Sequence, residues 1–219
     1  MSKSKTLKRP GQTADRLFRR LIQGILSGEL PSGQSLPEVR LARAWRVGRT
    51  PLREAMRRAA ESGFIVLRSN RRPVVRRLTP SDVRDLYELR RVLERHALER
   101  SWEDITPDQT QSLRRLAAQA SPNKSRHWVK RCLAFDLALH ALWTQGCGNS
   151  WLTQDLERHY RFLRIFQLWI SRAPEAVATA YREHCGILSA IEARDKARAL
   201  ALLADHISAS ARMVERVLP

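Results

Sequence analysis

Apolar residues recur at helical spacing along most of this chain. Leu17, Leu21, Ile22 and Ile25 form one stripe, which predicts a helix over 13–27 that Gly28 stops. The turn-rich LPSGQSLP follows, then a short helix over 38–45. A tight break at Arg46-Val47-Gly48 leads to a third helix over 50–62, with Leu52, Met56 and Ala59 facing inward. The next segment, FIVLRSNRRPVVRRL, has two β-rich halves flanking the polar Ser69-Asn70-Arg71-Arg72, and reads as a hairpin. Thr79-Pro80-Ser81-Asp82 is an N-cap cluster and marks a domain boundary. Everything beyond it is helical in period, over 81–102, 107–120, 126–146, 149–171, 174–193 and 195–217, with the weakest break at Arg194-Asp195.

The expected fold is therefore mainly α. A basic tail over 1–11 precedes a winged helix-turn-helix over 12–78, built from three helices and a β-hairpin. An all-α bundle of about six helices occupies 79–219.

Charge sharpens the division. The chain carries a formal net charge of +18. Residues 1–78 hold 19 Lys/Arg against 5 Asp/Glu, whereas the remainder holds 21 against 17. Basicity so concentrated suits a polyanion. No apolar run approaches the ~18 residues of a membrane span, and MSKSKTLKRP lacks the apolar core of a signal peptide. Three cysteines without a CxxC spacing read as reduced thiols. A cytoplasmic protein is expected.

Two short helices joined by a tight turn, the second rich in arginine, fit a helix-turn-helix whose second helix lies in a major groove. Arg49, Thr50 and Arg53 would face base edges there, because arginine can grip guanine O6 and N7 with two donors. Arg57 would continue that face, with Arg58 beside it. Arg71 and Arg72 would carry the hairpin tip to phosphates or a minor groove.

The bundle holds a different kind of residue. In FDLALHALW, Asp136 and His140 stack on one face of an otherwise apolar helix. Either they form an ion pair, or a metal takes the carboxylate and a neutral imidazole together. His184 and His206 lie beside the apolar stripes of two later helices and would complete a first coordination shell within a bundle core.

LPEVRLARAWRVGRTPLREAMRRAAESGFIV resembles the winged-helix domain of the GntR family of transcription regulators, with RTPLREA as its most specific core. The resemblance implies that Arg49, Thr50 and Arg53 contact an operator in double-stranded DNA. It also exposes departures. Gly48 stands at the usual Ser/Thr cap, Arg46 at a common turn glycine, and Arg72-Pro73 at a usual wing glycine. Val39 stands at a common DNA-contacting arginine, which leaves Arg40 as the nearest substitute.

Residues 82–219 resemble the FCD ligand-binding domain of the FadR-type branch. The matching signatures are DVRDLYELRRVLE, FDLALHALW with GNSWL, and REHCGILSAIEARDKARALALLADHI. That resemblance implies a divalent metal held by Asp136, His140, His184 and His206, with Zn, Ni or Mn all suited to the donor set. It further implies a small carboxylate effector and a homodimer reading two half-sites. Arg90 matches an arginine that often faces the ligand, although pairing with Glu94 on the helix surface is an equal alternative. The six-helix count suggests the VanR-like subgroup. A metal-dependent hydrolase is the first rival, but no further acid or base is evident. A non-specific nucleic-acid binder is the second, but it leaves the nearly charge-balanced bundle without a role.

Overall fold

The computed structural model describes residues 10–67, 72–122, 127–170 and 173–217. It divides into two compact units, 1–78 and 79–219. Much of the tail expected over 1–11 lies outside the described residues, but Pro10 and Gly11 belong to the first helix.

The first unit comprises α1 (Pro10–Ser27), α2 (Glu38–Trp45), α3 (Arg49–Glu61) and the strands β1 (Ile65–Val66) and β2 (Val74–Val75). Helix α1 packs mainly on α3. Leu17 and Leu21 meet Leu52, Ala55, Met56 and Ala59 in a core that Leu36, Ile65 and Val75 extend. The strands pair antiparallel, with Ile65 opposite Val75 and Val66 opposite Val74. The chain at Gln34–Leu36 adds to the other edge of β2: Val75 N–H donates to the Gln34 carbonyl at 2.9 Å, and Leu36 N–H to that of Pro73 at 2.7 Å. Gly33, at φ 80°, permits this approach, because a Cβ there would collide with the Arg77 side chain. The hairpin tip, including Arg71, lies outside the described residues.

The second unit is a bundle of six helices: α4 (Pro80–Ser101), α5 (Pro107–Ala120), α6 (Trp128–Gly146), α7 (Ser150–Ile170), α8 (Pro174–Glu192) and α9 (Lys196–Val217). Local chemistry sets their starts. Thr79 and Asp82 form a capping box ahead of α4, as Thr106 and Gln109 do for α5, each with proline at the first helical position. The Asn149 carboxamide accepts from the Trp151 and Leu152 amides. Between α8 and α9, Arg194 turns left-handed at φ 56° and the Asp195 carboxylate caps α9 through the Arg198 amide.

Helix α6 is the centre of the bundle, packed against α4, α5, α7 and α8. That is why its apolar residues run around the helix and not along one stripe. Phe135, Leu139 and Trp143 are wholly buried. No described helix is long and apolar enough to cross a membrane.

Candidate functional site

The exposed end of the first unit presents the arginines. Arg49 and Arg53 occupy the first and second turns of α3, and the Glu38 carboxylate, at the start of α2, holds both. Its Oε1 accepts from Arg49 Nε at 3.3 Å and Arg53 Nη2 at 3.0 Å, while its Oε2 accepts from Arg53 Nε at 2.9 Å. Both arginines remain largely exposed, as are Arg40, Thr50 and Arg72. The neighbouring arginines differ from the sequence expectation. Arg57 is tied to Glu54 and Glu61 along its own helix. Arg58 turns back to α1, pairs with Asp15 and lies 4.9 Å over the Phe18 ring. It therefore braces α1 against α3 and does not extend the recognition face.

In the second unit, α6, α8 and α9 bring three imidazoles together. His140, His184 and His206 are each at most 3% exposed. The His140 and His184 Nε2 atoms lie 3.2 Å apart, and those of His184 and His206 3.0 Å apart. Asp136 Oδ1 lies 3.3 Å from His140 Nε2 and 3.4 Å from His184 Nε2. Asp136 thus approaches two of the rings from the rim, with its side chain 15% exposed, whereas the three histidines alone lie close enough together to share an ion.

These separations can be compared with those of a metal shell. With bonds of ~2.1 Å, neighbouring ligand atoms stand about 3.0 Å apart at octahedral angles and about 3.4 Å apart at tetrahedral ones. The observed 3.0–3.4 Å fall in that interval. Tautomers agree with it. His140 Nδ1 faces Glu94 Oε2 at 2.6 Å, and His206 Nδ1 faces Glu183 Oε2 at 2.8 Å. A carboxylate accepts, so each Nδ1 carries the proton and each Nε2 lone pair points inward. The cluster of three buried histidines can hold a metal ion.

The electrostatics favour neutral rings at His184 and His206. Burial pushes His184 well below the usual histidine value, and the positive field of a protonated His206 acts in the same direction. Burial does the same to His206, with the field of His140 next in size. Burial alone would raise Glu94, but Arg90 and His140 overcome it and hold its carboxyl well below the usual range.

Glu94 is the residue that sequence reasoning undervalued. It is fully buried and bonds three groups: Arg90, His140 and the Trp143 indole N–H, the last at 3.0 Å. Arg90 does pair with Glu94, but inside the bundle and not on its surface, at 7% exposure. Its Nη2 also reaches His140 Nε2 at 3.3 Å. Glu183 was missed as well. Only the cross-helix approach of α8 to α9 gives it His206 as a partner, although it adjoins His184 in sequence. His159, set aside in the sequence reading, is buried with its Nε2 unpartnered, and burial lowers its pKa to about 4.

A cavity of about 430 Å³ opens beside the cluster, lined by Tyr87, Arg90, Asp136, His140, Thr144 and Tyr160 among others. A smaller one of about 60 Å³ reaches His184 and His206 from the far side of Arg90 and Asp136. The volume is in the range that accepts a small molecule. Arg90 is its cation, and burial holds the Tyr87 and Tyr160 hydroxyls protonated, that of Tyr87 up to about 12.

A winged helix-turn-helix followed by a helical bundle is the architecture of a DNA-binding transcription regulator. The chain belongs to the GntR family of bacterial regulators, in the branch that carries an FCD domain: the family models for FCD and for GntR match residues 85–209 and 13–75. It is similar to the HTH-type transcriptional repressor GlaR of Escherichia coli, at 25% identity over 92% of this chain and 95% of that protein. It is also similar to the repressor RspR of the same organism, at 27% identity over 91% of this chain and 89% of that one. Among solved structures, E. coli McbR/YncC shares the fold with a TM-score of 0.69 at 16% identity, over 93% of this chain and 97% of that one. These relatives are transcription regulators, not enzymes, and DNA binding resides in the GntR helix-turn-helix.

Proposed function

We propose that this chain is a cytoplasmic, homodimeric transcription regulator whose operator affinity is set by a small carboxylate bound beside a metal in the C-terminal bundle. The observation that carries this reading is the meeting of three buried His Nε2 atoms, with the Asp136 carboxylate beside two of them, between two cavities that share a buried arginine: His140 and Asp136 face the larger, His184 and His206 the smaller, and Arg90 both. His140, His184, His206 and Asp136 would hold the ion, with Zn, Ni or Mn suited to three nitrogens and one oxygen. When bound, the ion supplies open positions for an oxygen ligand. The chain's own residues supply the rest. Arg90 offers a fixed fork for the second carboxylate oxygen, and the Tyr87 and Tyr160 hydroxyls frame the apolar walls.

In the first unit, Arg49, Thr50 and Arg53 would read bases. Arg40, Arg71 and Arg72 would meet the backbone or an adjoining groove. A two-fold dimer would set two α3 helices one DNA turn apart. The six-helix bundle fits the VanR-like subgroup. A ligand regulates only through differential affinity for two states, and a tenfold change in operator affinity needs about 1.4 kcal/mol of coupling. The relatives' names favour repression as the sign of regulation.

The test is elemental analysis of the purified chain together with footprinting of operator fragments from its own upstream region. One equivalent of divalent metal and protection of a pseudo-palindrome at moderate salt are expected. Uniform coating of all DNA by a metal-free protein would refute the reading.

A further inference from the structure

The Nε2 of a neutral imidazole has one lone pair. At His140 that lone pair has three claimants. Glu94 accepts from Nδ1 at 2.6 Å, and Arg90, which can only donate, faces Nε2, so in the neutral ring Nε2 is the acceptor. One candidate donor is Arg90 Nη2–H at 3.3 Å. A second is the His184 ring, whose Nε2 lies 3.2 Å away and donates only when it carries that ring's proton, and the third is the ion that the cluster can hold. A lone pair that forms a coordinate bond cannot also accept from a guanidinium.

We propose that Arg90 and the metal exchange at His140 Nε2: the guanidinium caps this lone pair in the metal-free chain, and metal loading releases the Arg90 Nη2–H to the adjoining cavity. Glu94 makes the exchange local. It holds Arg90 Nε through one oxygen and His140 Nδ1 through the other, so neither side chain leaves its place when the third contact breaks. Trp143 donates to the same carboxylate at 3.0 Å and fixes it in turn. The released N–H is buried, and leaving a charged donor unpaired is costly, so it needs an acceptor. The cavity of about 430 Å³ is where one can enter. The arginine that would greet an anionic effector is therefore made available by the metal, and the order of binding is built into one imidazole. The inference rests on the metal reading above and adds to it a competition that a simple metal site would lack.

The experiment compares zinc affinity, measured by competition with a chromophoric chelator, in the full-length wild type and in Arg90→Lys and Arg90→Gln. Lysine keeps the charge but not the fork that reaches both Glu94 and His140. Under the exchange, both variants bind zinc about three- to tenfold more tightly than the wild type. Tightening in Arg90→Gln alone would mean plain charge repulsion and would overturn the proposal, as would no tightening in either. A wild type that takes up no zinc would instead overturn the metal reading on which the exchange depends. Nitrogen-15 spectra of the wild type give a readout that needs no variant. Zinc should shift the Arg90 side-chain resonances together with His140 Nε2. Arg90 resonances that stay fixed while His140 Nε2 moves would also overturn the exchange.

Discussion

The Nε2 atoms of His184 and His206 face each other at 3.0 Å within the C-terminal bundle. The His206 Nδ1–H donates to the Glu183 carboxylate, so that ring turns a bare lone pair toward its neighbour. The His184 Nε2 opposite it must therefore carry that ring's own proton, or a cation must lie between the two nitrogens. Burial disfavours a second proton on either ring, which leaves both neutral and able to ligate a cation.

A metal should therefore act as a folding ligand. At a free concentration 100-fold above its dissociation constant it adds about 2.7 kcal/mol to stability. We expect chelation to lower the melting temperature of the full chain by several degrees, and zinc to restore it, followed by scanning calorimetry. An unchanged melting curve after verified metal removal would count against a resident ion.

The metal-free chain should be acid-sensitive, and the sign follows from the depressed histidines. His184 and His206 titrate well below 6.5 when folded, and His159 near 4, whereas each regains its ordinary value on unfolding. Between those values the unfolded chain binds more protons, so stability rises with pH and falls as pH drops below about 6.5. His159 alone contributes a loss of roughly 3 kcal/mol by pH 4. Urea midpoints measured from pH 7.5 to 5 should fall steadily. His159→Gln should shallow that slope even with the metal site intact.

Much of this was legible from the residues. Helical spacing, two proline-containing caps and the charge gradient carry the two-domain plan, and the four metal-type ligands stand at readable positions. What escaped was the partner of each ligand. Glu94 lies 46 residues from His140, and Glu183 lies 23 from His206, and nothing local marks either as a proton acceptor. The period of α3 puts Arg58 beside the recognition face, and only the packing of α1 shows that it turns inward to Asp15 and Phe18. A residue's face follows from period, but its partner follows from tertiary packing.

Arg46 and Arg194 are the two non-glycine residues with positive φ among those described, at 54° and 56°. Each closes a helix in the left-handed conformation, which costs a side-chain-bearing residue about 1 kcal/mol relative to glycine. Their side chains differ. Arg194 donates to the Trp102 and Ile105 carbonyls and pairs with Glu103. No such bond is described for Arg46. Arg46→Gly should therefore raise the unfolding free energy by up to ~1 kcal/mol, seen as a higher urea midpoint, while Arg194→Gly should lower it because three contacts are lost. Equal shifts in both variants would show that backbone strain alone decides the two positions.

Glu38 sets the balance between affinity and discrimination at the recognition helix. It holds the Arg53 Nε and Nη2 edge at 2.9 and 3.0 Å and Arg49 Nε at 3.3 Å. A long arginine normally loses rotamer freedom on docking, and a carboxylate that already orders it reduces that loss. The same carboxylate repels phosphates. Arg49→Ala should lose about 1–3 kcal/mol of discrimination if it reads a guanine. Glu38→Ala should act in the opposite sense on random DNA, binding it more tightly as one negative charge leaves the interface. Its operator-to-random ratio should nevertheless fall, because Arg49 and Arg53 lose their fixed geometry. Fluorescence anisotropy with operator and scrambled duplexes, at two salt concentrations, separates the effects. If Glu38→Ala tightened both duplexes equally, its carboxylate would act through charge alone, and the ordering of the two arginines would have no part in sequence reading.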